Sequence, residues 1–188
     1  TEGTKKILQT KNDNLLLTCS GSGGMEAAVV NVLSPGEKAL VASIGAFGHR
    51  FAEICRVYNV EVDLLDYPWG TAVNPDDIAH KLEADKKHQI KAVLVQHNET
   101  STGVLNDIKA ISEARGNHPA LLIVDAVSGL ATADLPVDEW NLDVVVWGSQ
   151  KAFMVPPGLA GVCVSPRAWE AIEKSTNSRY YFDLRLAK

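Results

Sequence analysis

The chain has 188 residues, 46% of them hydrophobic and 22% charged, the composition of a globular protein with enough apolar material for a sizeable core. A formal net charge of −5 leaves no basic face to neutralise a phosphate backbone, which argues against nucleic acid as a partner. No apolar run reaches the roughly 18 residues of a membrane helix, and the opening TEGTKKILQTKND has no signal-peptide pattern, so the expectation is a protein of the cytosol or an organelle matrix with no membrane partner.

In chain order, apolar runs at 15–19, 39–42, 61–65, 92–96, 121–125, 144–147 and 161–164 are predicted as strands, separated by segments that mostly read as helices. After the first run, SGSGG leads into a helix expected to start near Gly23. After the second, Phe51, Ile54, Cys55 and Tyr58 share one helical face. After the third, Asn74 caps a helix opened by Pro75, with Ile78, Leu82 and Ala84 as its apolar face. ALLIVD and DVVVW lack period-two alternation, so both of their faces should be covered. The predicted class is therefore α/β, a mainly parallel sheet flanked by helices, without an internal domain boundary. The closing SRYYFDLRLAK reads as irregular and as a chain cut off mid-domain.

Cys19, Cys55 and Cys163 are widely spaced in apolar contexts, which suits reduced, buried thiols, and the five histidines show no metal-ligand spacing, so no metal is expected. In such a sheet, ligands sit at the carboxyl ends of the strands. The residues there are Ser20 to Gly24, Gly45 to Phe47, His97 to Gly103, Asp125, and Ser149-Gln150-Lys151. The glycine cluster is either an ordinary tight turn or a phosphate site built from backbone N–H groups and a helix dipole. Neither G-x-G-x-x-G nor G-x-x-x-x-G-K-[ST] is present, since Glu26 stands where the first pattern needs glycine. Asp125 either caps the next turn or meets a cation or strong donor, because a carboxylate at the mouth of a buried strand is costly to desolvate. Lys151, in VVVWGSQKAFMVPPG, is either a solvated surface lysine or a partly desolvated amine able to form a Schiff base. Lysine, carboxylate and phosphate site together match the aldehyde, ring nitrogen and phosphate of pyridoxal 5′-phosphate.

SGSGGMEAAVVNVLSPGEKALV, GAFGHRFAEIC, HNETSTGVLNDI, LLIVDAVSGLA and WGSQKAFMVPPGLAGVCVS, in that order, resemble successive blocks of the class V, fold type I, pyridoxal-phosphate aminotransferases, in particular the alanine–glyoxylate and serine–pyruvate or serine–glyoxylate branch. The resemblance implies Lys151 as the Schiff-base lysine and Asp125 as the partner of the pyridine nitrogen. It implies Ser20, Gly21, Ser22 and Gln150 as the phosphate grip, Phe47 as the aromatic stacked on the ring where tryptophan is common, and Thr100 as a hydroxyl near the ring oxygen. Ser101, Thr102, His49, His97 and Arg50 receive no site role.

The implied activity is transfer of an amino group from a small amino acid, alanine or serine, to a 2-oxo acid such as glyoxylate or pyruvate, with the released Lys151 amine taking the α-proton. A cysteine desulfurase or lyase would share the early steps, but Gln150 and Phe47 stand where desulfurases usually carry histidine. The family also implies a homodimer. Its members run to about twice this length, so residues 1–188 are expected to be an incomplete cofactor-binding large domain, and a non-catalytic cofactor-binding fragment is the other reading.

Overall fold

In the computed structural model, which describes residues 2–188, the elements follow as α1 (Glu2–Leu8), β1 (Asp13–Leu17), α2 (Gly21–Val32), β2 (Lys38–Ser43), α3 (Ala46–Val57), β3 (Glu61–Asp66), α4 (Pro75–Ala84), β4 (Ile90–Gln96), β5 (Asn98–Glu99), β6 (Val104–Leu105), α5 (Ile108–Arg115), β7 (Leu121–Asp125), β8 (Val144–Gly148), β9 (Ala160–Val164), α6 (Pro166–Lys174) and α7 (Leu184–Ala187). Seven strands form one sheet in the order β1-β9-β8-β7-β4-β2-β3. The run from β3 to β8 is parallel throughout, and β9 lies antiparallel between β8 and β1. The predicted α/β class and all seven predicted strands are thus present, most of them extended or shifted by one or two residues.

Period-two projection from strands buried on both faces sorts the core into two halves. Leu94, Ile123, Val144 and Val146 pack with Met25, Val29, Phe51 and Ile172 under α2, α3 and α6. Val93, Leu122, Val124 and Val145 pack on the other face with Ile78, Leu82, Ile108 and Ile111 of α4 and α5. Each such aliphatic side chain contributes on the order of 1.5–3 kcal/mol by leaving water, so the two helical layers fix the sheet from both sides.

Local signals set the helix ends. Asn74 Oδ1 accepts a hydrogen bond from Asp76 N at 3.2 Å with Pro75 in the first turn of α4, as its sequence predicts. Ala84, however, is exposed at the end of that helix, so the apolar face stops at Leu82. α2 starts at Gly21, two residues before the expected Gly23. The closing segment is not wholly irregular, since Asp183 caps the short α7 by accepting from Arg185 N at 3.1 Å.

One glycine decides how close α2 comes to the sheet. A Cβ on Gly24 would stand 2.7 Å from Val146 Cγ1 and 3.3 Å from the Ala160 side chain, so only glycine lets the helix sit down on β8 and β9. That contact brings the amino end of α2 to the carboxyl ends of β7 and β8.

Candidate active site

The first turn of α2 presents its backbone donors outward. Ser20 is the N-cap residue but its exposed side chain makes no capping bond, and intrahelical hydrogen bonding begins with Gly24 N to Ser20 O at 3.1 Å. The N–H groups of Gly21, Ser22 and Gly23 are therefore left for another acceptor at the positive end of a 12-residue helix. Gly21 also lies against Val127, whose Cγ2 would be 2.7 Å from an added Cβ. Val127 Cγ1 is in turn 3.2 Å from the Cβ position of Gly148, at the end of β8. One valine thus joins the turn after β1, the turn after β7 and the turn after β8.

Asp125 ends β7 and is 4% exposed. Its Oδ1 accepts from Val127 N at 2.9 Å, and Oδ2 accepts no hydrogen bond from the described residues. Burial pushes its carboxyl up to about 6, opposed by the Val127 N–H, reinforced by the charge of Glu99, and opposed again by Arg50 and Lys151. One oxygen caps the turn, which is its structural reading, and the other accepts no hydrogen bond from the described residues.

α3 is capped from a distance. Glu99, fully buried, accepts from Phe47 N at 2.9 Å and Gly48 N at 3.1 Å through Oε2, and from Ser101 N at 3.0 Å and Ser101 Oγ at 2.7 Å through Oε1. Ser101 Oγ itself accepts from Ala46 N at 3.0 Å. The α3 dipole and four donors offset the cost of a buried charge. Phe47, the expected stacking aromatic, is held half-buried at this helix end, with the Arg50 guanidinium 4.5 Å from its ring centre. Arg50 also donates to Ser22 Oγ at 2.8 Å, tying α3 to the start of α2.

Thr100 Oγ1 donates to Ser128 Oγ at 2.8 Å, and Ser128 in turn donates to the Asn98 carbonyl at 3.0 Å. The hydroxyl expected near the ring oxygen is thereby held beside the turn that follows Asp125. Thr102 bonds locally to the Glu99 carbonyl, 3.4 Å away, but Ser101 does more than fold its own loop, since it reaches α3.

Beyond β8, Gln150 Oε1 is buried and accepts no hydrogen bond, and lies 3.0 Å from the Cβ position of Gly148. Lys151 is exposed, which corrects the expectation of a partly desolvated amine. Its apolar neighbours Met154, Val155 and Leu159 are themselves exposed and do not fold over it. Its carbonyl accepts from Met154 N at 2.9 Å, and its charge reaches Asp125.

Cys55 and Cys163 are buried with thiols pushed up to about 12 by burial, whereas Cys19 is only half-buried, against the expectation for all three. His97 is buried, with burial driving its imidazole down to about 4, and His49 pairs with Asp66 at 3.2 Å. The features that sequence reasoning missed are Glu99 and Arg50. For Glu99 the one available signal was an acidic residue at a strand end, in a segment otherwise rich in hydroxyls.

The residues present suit pyridoxal 5′-phosphate: free helix-end donors and the Gln150 amide, through its Nε2 hydrogens, for a phosphate, the Oδ2 of Asp125, which accepts no hydrogen bond from the described residues, for a ring nitrogen, apolar and aromatic flanks in Val127 and Phe47, and a primary amine.

The family model "Aminotransferase class-V" matches residues 1–181. The chain is 47% identical over 185 residues to a protein named soluble hydrogenase, small subunit, from Synechococcus sp., covering 98% of this chain and 48% of that protein. It is 47% identical over 187 residues to the L-aspartate–glyoxylate aminotransferase of Paracoccus denitrificans, covering 98% of this chain and 47% of that one. The crystal structure of the ureidoglycine–glyoxylate aminotransferase of Bacillus subtilis superimposes with a TM-score of 0.92 at 34% identity, over 98% of this chain and 48% of that one. The chain spans about half the length of the curated relatives it matches.

Proposed function

The chain belongs to the class V aminotransferase family, and from that premise we propose that it is the cofactor-binding large domain of a pyridoxal-phosphate-dependent aminotransferase that moves an amino group from a small amino acid to a 2-oxo acid. The observation that carries this is the buried Asp125 carboxylate, with one oxygen unpaired, within electrostatic reach of Lys151 and joined through Val127 to the free donors of α2. The hydrogenase name and the aspartate–glyoxylate name belong to relatives of equal identity, and the class V aminotransferase family model supports the amino-transferring reading. Glyoxylate as acceptor is supported by the names of the Paracoccus and Bacillus proteins.

Pyridoxal 5′-phosphate, when bound, supplies an aldehyde for amine exchange and a pyridinium ring that withdraws electrons from the substrate carbon. The Lys151 amine would hold the aldehyde carbon covalently until an amino acid displaces it. Once free, Nζ would take the α-proton and return it on the other side of the exchange. Lys151's exposure gives it the freedom to move between those positions. Asp125 would keep a proton on the ring nitrogen, and its buried position makes that ion pair strong. Gly21 and Ser22 N–H groups, with the Ser20 hydroxyl and Gln150, would take the phosphate, and Arg50 fixes the Ser22 hydroxyl in the first turn of α2. Phe47 would lie against the ring, and Thr100, steadied by Ser128, would stand near its oxygen.

A homodimer fits the same reading. Met154, Val155 and Leu159, 89%, 50% and 43% exposed beside Lys151, form an apolar stretch that a second subunit would cover.

The test is a half-reaction assay: an aminotransferase containing this domain, loaded with pyridoxal phosphate, is offered alanine, serine and aspartate in turn, followed by glyoxylate or pyruvate. Conversion of a donor to its 2-oxo acid with glycine or alanine as second product is expected. Sulfide or ammonia release from cysteine or serine without a second amino acid would move the assignment to a desulfurase or lyase.

A further inference from the structure

The carboxyl end of β4 buries an amide that the fold does not use. Gln96 is fully buried, and neither its Nε2 nor its Oε1 has a hydrogen-bond partner among the described residues. Its backbone carbonyl, by contrast, is taken by Asn106 Nδ2 at 2.8 Å. A methionine or leucine would fill the same volume without stripping water from two polar atoms, so an amide here lowers stability unless it serves the site.

The strand register shows what it can serve. Gln96 is the direct partner of Asp125 in the parallel pairing of β4 with β7. In-register residues of neighbouring strands project to the same face, and two positions back Leu94 and Ile123 both enter the core half under α2 and α3. Gln96 and Asp125 therefore leave the sheet side by side, with strands about 4.8 Å apart. A buried donor lacking an acceptor stands on the strand beside Asp125, a buried residue whose Oδ2 accepts no hydrogen bond from the described residues.

We propose that Gln96 is a positioning residue for Asp125, its Nε2–H group donating to Oδ2, fixing the plane of the carboxylate and favouring its charged form. Side-chain rotation at Gln96 is all that the pairing needs, because the backbone register is already set. The consequence for the ring nitrogen rests on the cofactor reading above, while the contact itself does not. The other groups acting on Asp125 are Glu99 on β5, which opposes its ionisation, and Arg50 on α3, Lys151 beyond β8 and the Val127 N–H, which favour it. α2 brings a helix end with no acidic residue in its first turn.

The test is carboxyl carbon NMR titration of the cofactor-free protein, with Asp125→Asn identifying the resonance. Gln96→Met should raise the Asp125 midpoint by about 0.5–1 unit, the equivalent of one net hydrogen bond, while leaving the protein at least as resistant to heat. Gln96→Leu repeats the measurement with a different shape. An Asp125 midpoint unchanged in both variants overturns the proposal. Covalent capture of pyridoxal phosphate by the unsubstituted protein is scored separately, so failure of the cofactor reading leaves the titration to decide the role of Gln96 alone.

Discussion

The carboxylate of Glu99 accepts the backbone N–H of Phe47 at 2.9 Å, so the aromatic residue at the head of α3 is oriented by a charge delivered from β5. The same carboxylate also binds Gly48 and Ser101, so it ties the segment after β4 to the start of α3. Glu99→Ala should leave the Phe47, Gly48 and Ser101 N–H groups without their acceptor and cost about 2–4 kcal/mol. Glu99→Gln, which keeps one acceptor oxygen, should cost about half as much. Urea denaturation of the two variants checks this, and an alanine variant as stable as the parent would remove Glu99 from the account.

Glycine at 24 has a packing reason that glycine at 3 lacks. Gly24→Ala places a methyl 2.7 Å from Val146 Cγ1 and should destabilise by about 1–3 kcal/mol while lifting α2 from the sheet. Gly3→Ala, in α1 with nothing within 4 Å of the new methyl, should stabilise by up to about 1 kcal/mol. Equal effects from the two substitutions, read by thermal denaturation, would contradict the packing shown for α2.

Asp125 makes stability depend on pH with a definite sign. Its carboxyl is raised from 3.8 to about 6 by burial, so the folded state holds its proton more tightly than the unfolded chain does. The contribution is complete below about pH 4 and is lost as pH rises through about 6, amounting to about 3 kcal/mol. Asp125→Asn should abolish that dependence, and the cofactor-free variant should be the more stable protein at pH 7.5. In a cofactor-loaded aminotransferase the same substitution should cost turnover about a hundredfold. Parallel stability profiles for the two proteins between pH 4 and 7 would show that Asp125 is not buried in this way.

The sheet was legible in the sequence because strands covered on both faces, such as ALLIVD, spell unbroken apolar runs whose carboxyl ends can be read off directly. β5 and β6 were not, since two-residue strands carry no period. Asn74 and Pro75 announced α4 through chemistry local to the turn, whereas the cap of α3 depends on Glu99, 52 residues from Phe47, and no local pattern carries that distance. Lys151 shows the opposite failure. Its sequence left both a solvated and a partly desolvated amine open, and Met154, Val155 and Leu159 turn outward, because burial is decided by where a loop folds rather than by its composition.

The central claim is that Lys151 is the amine that holds the cofactor, and borohydride reduction of the protein mixed with pyridoxal phosphate, followed by peptide mapping, tests it most directly. The account predicts a single reduced pyridoxyl group on Lys151, lost in Lys151→Ala. A label on Lys109 or Lys174 instead, or an adduct that survives Lys151→Ala, would contradict it.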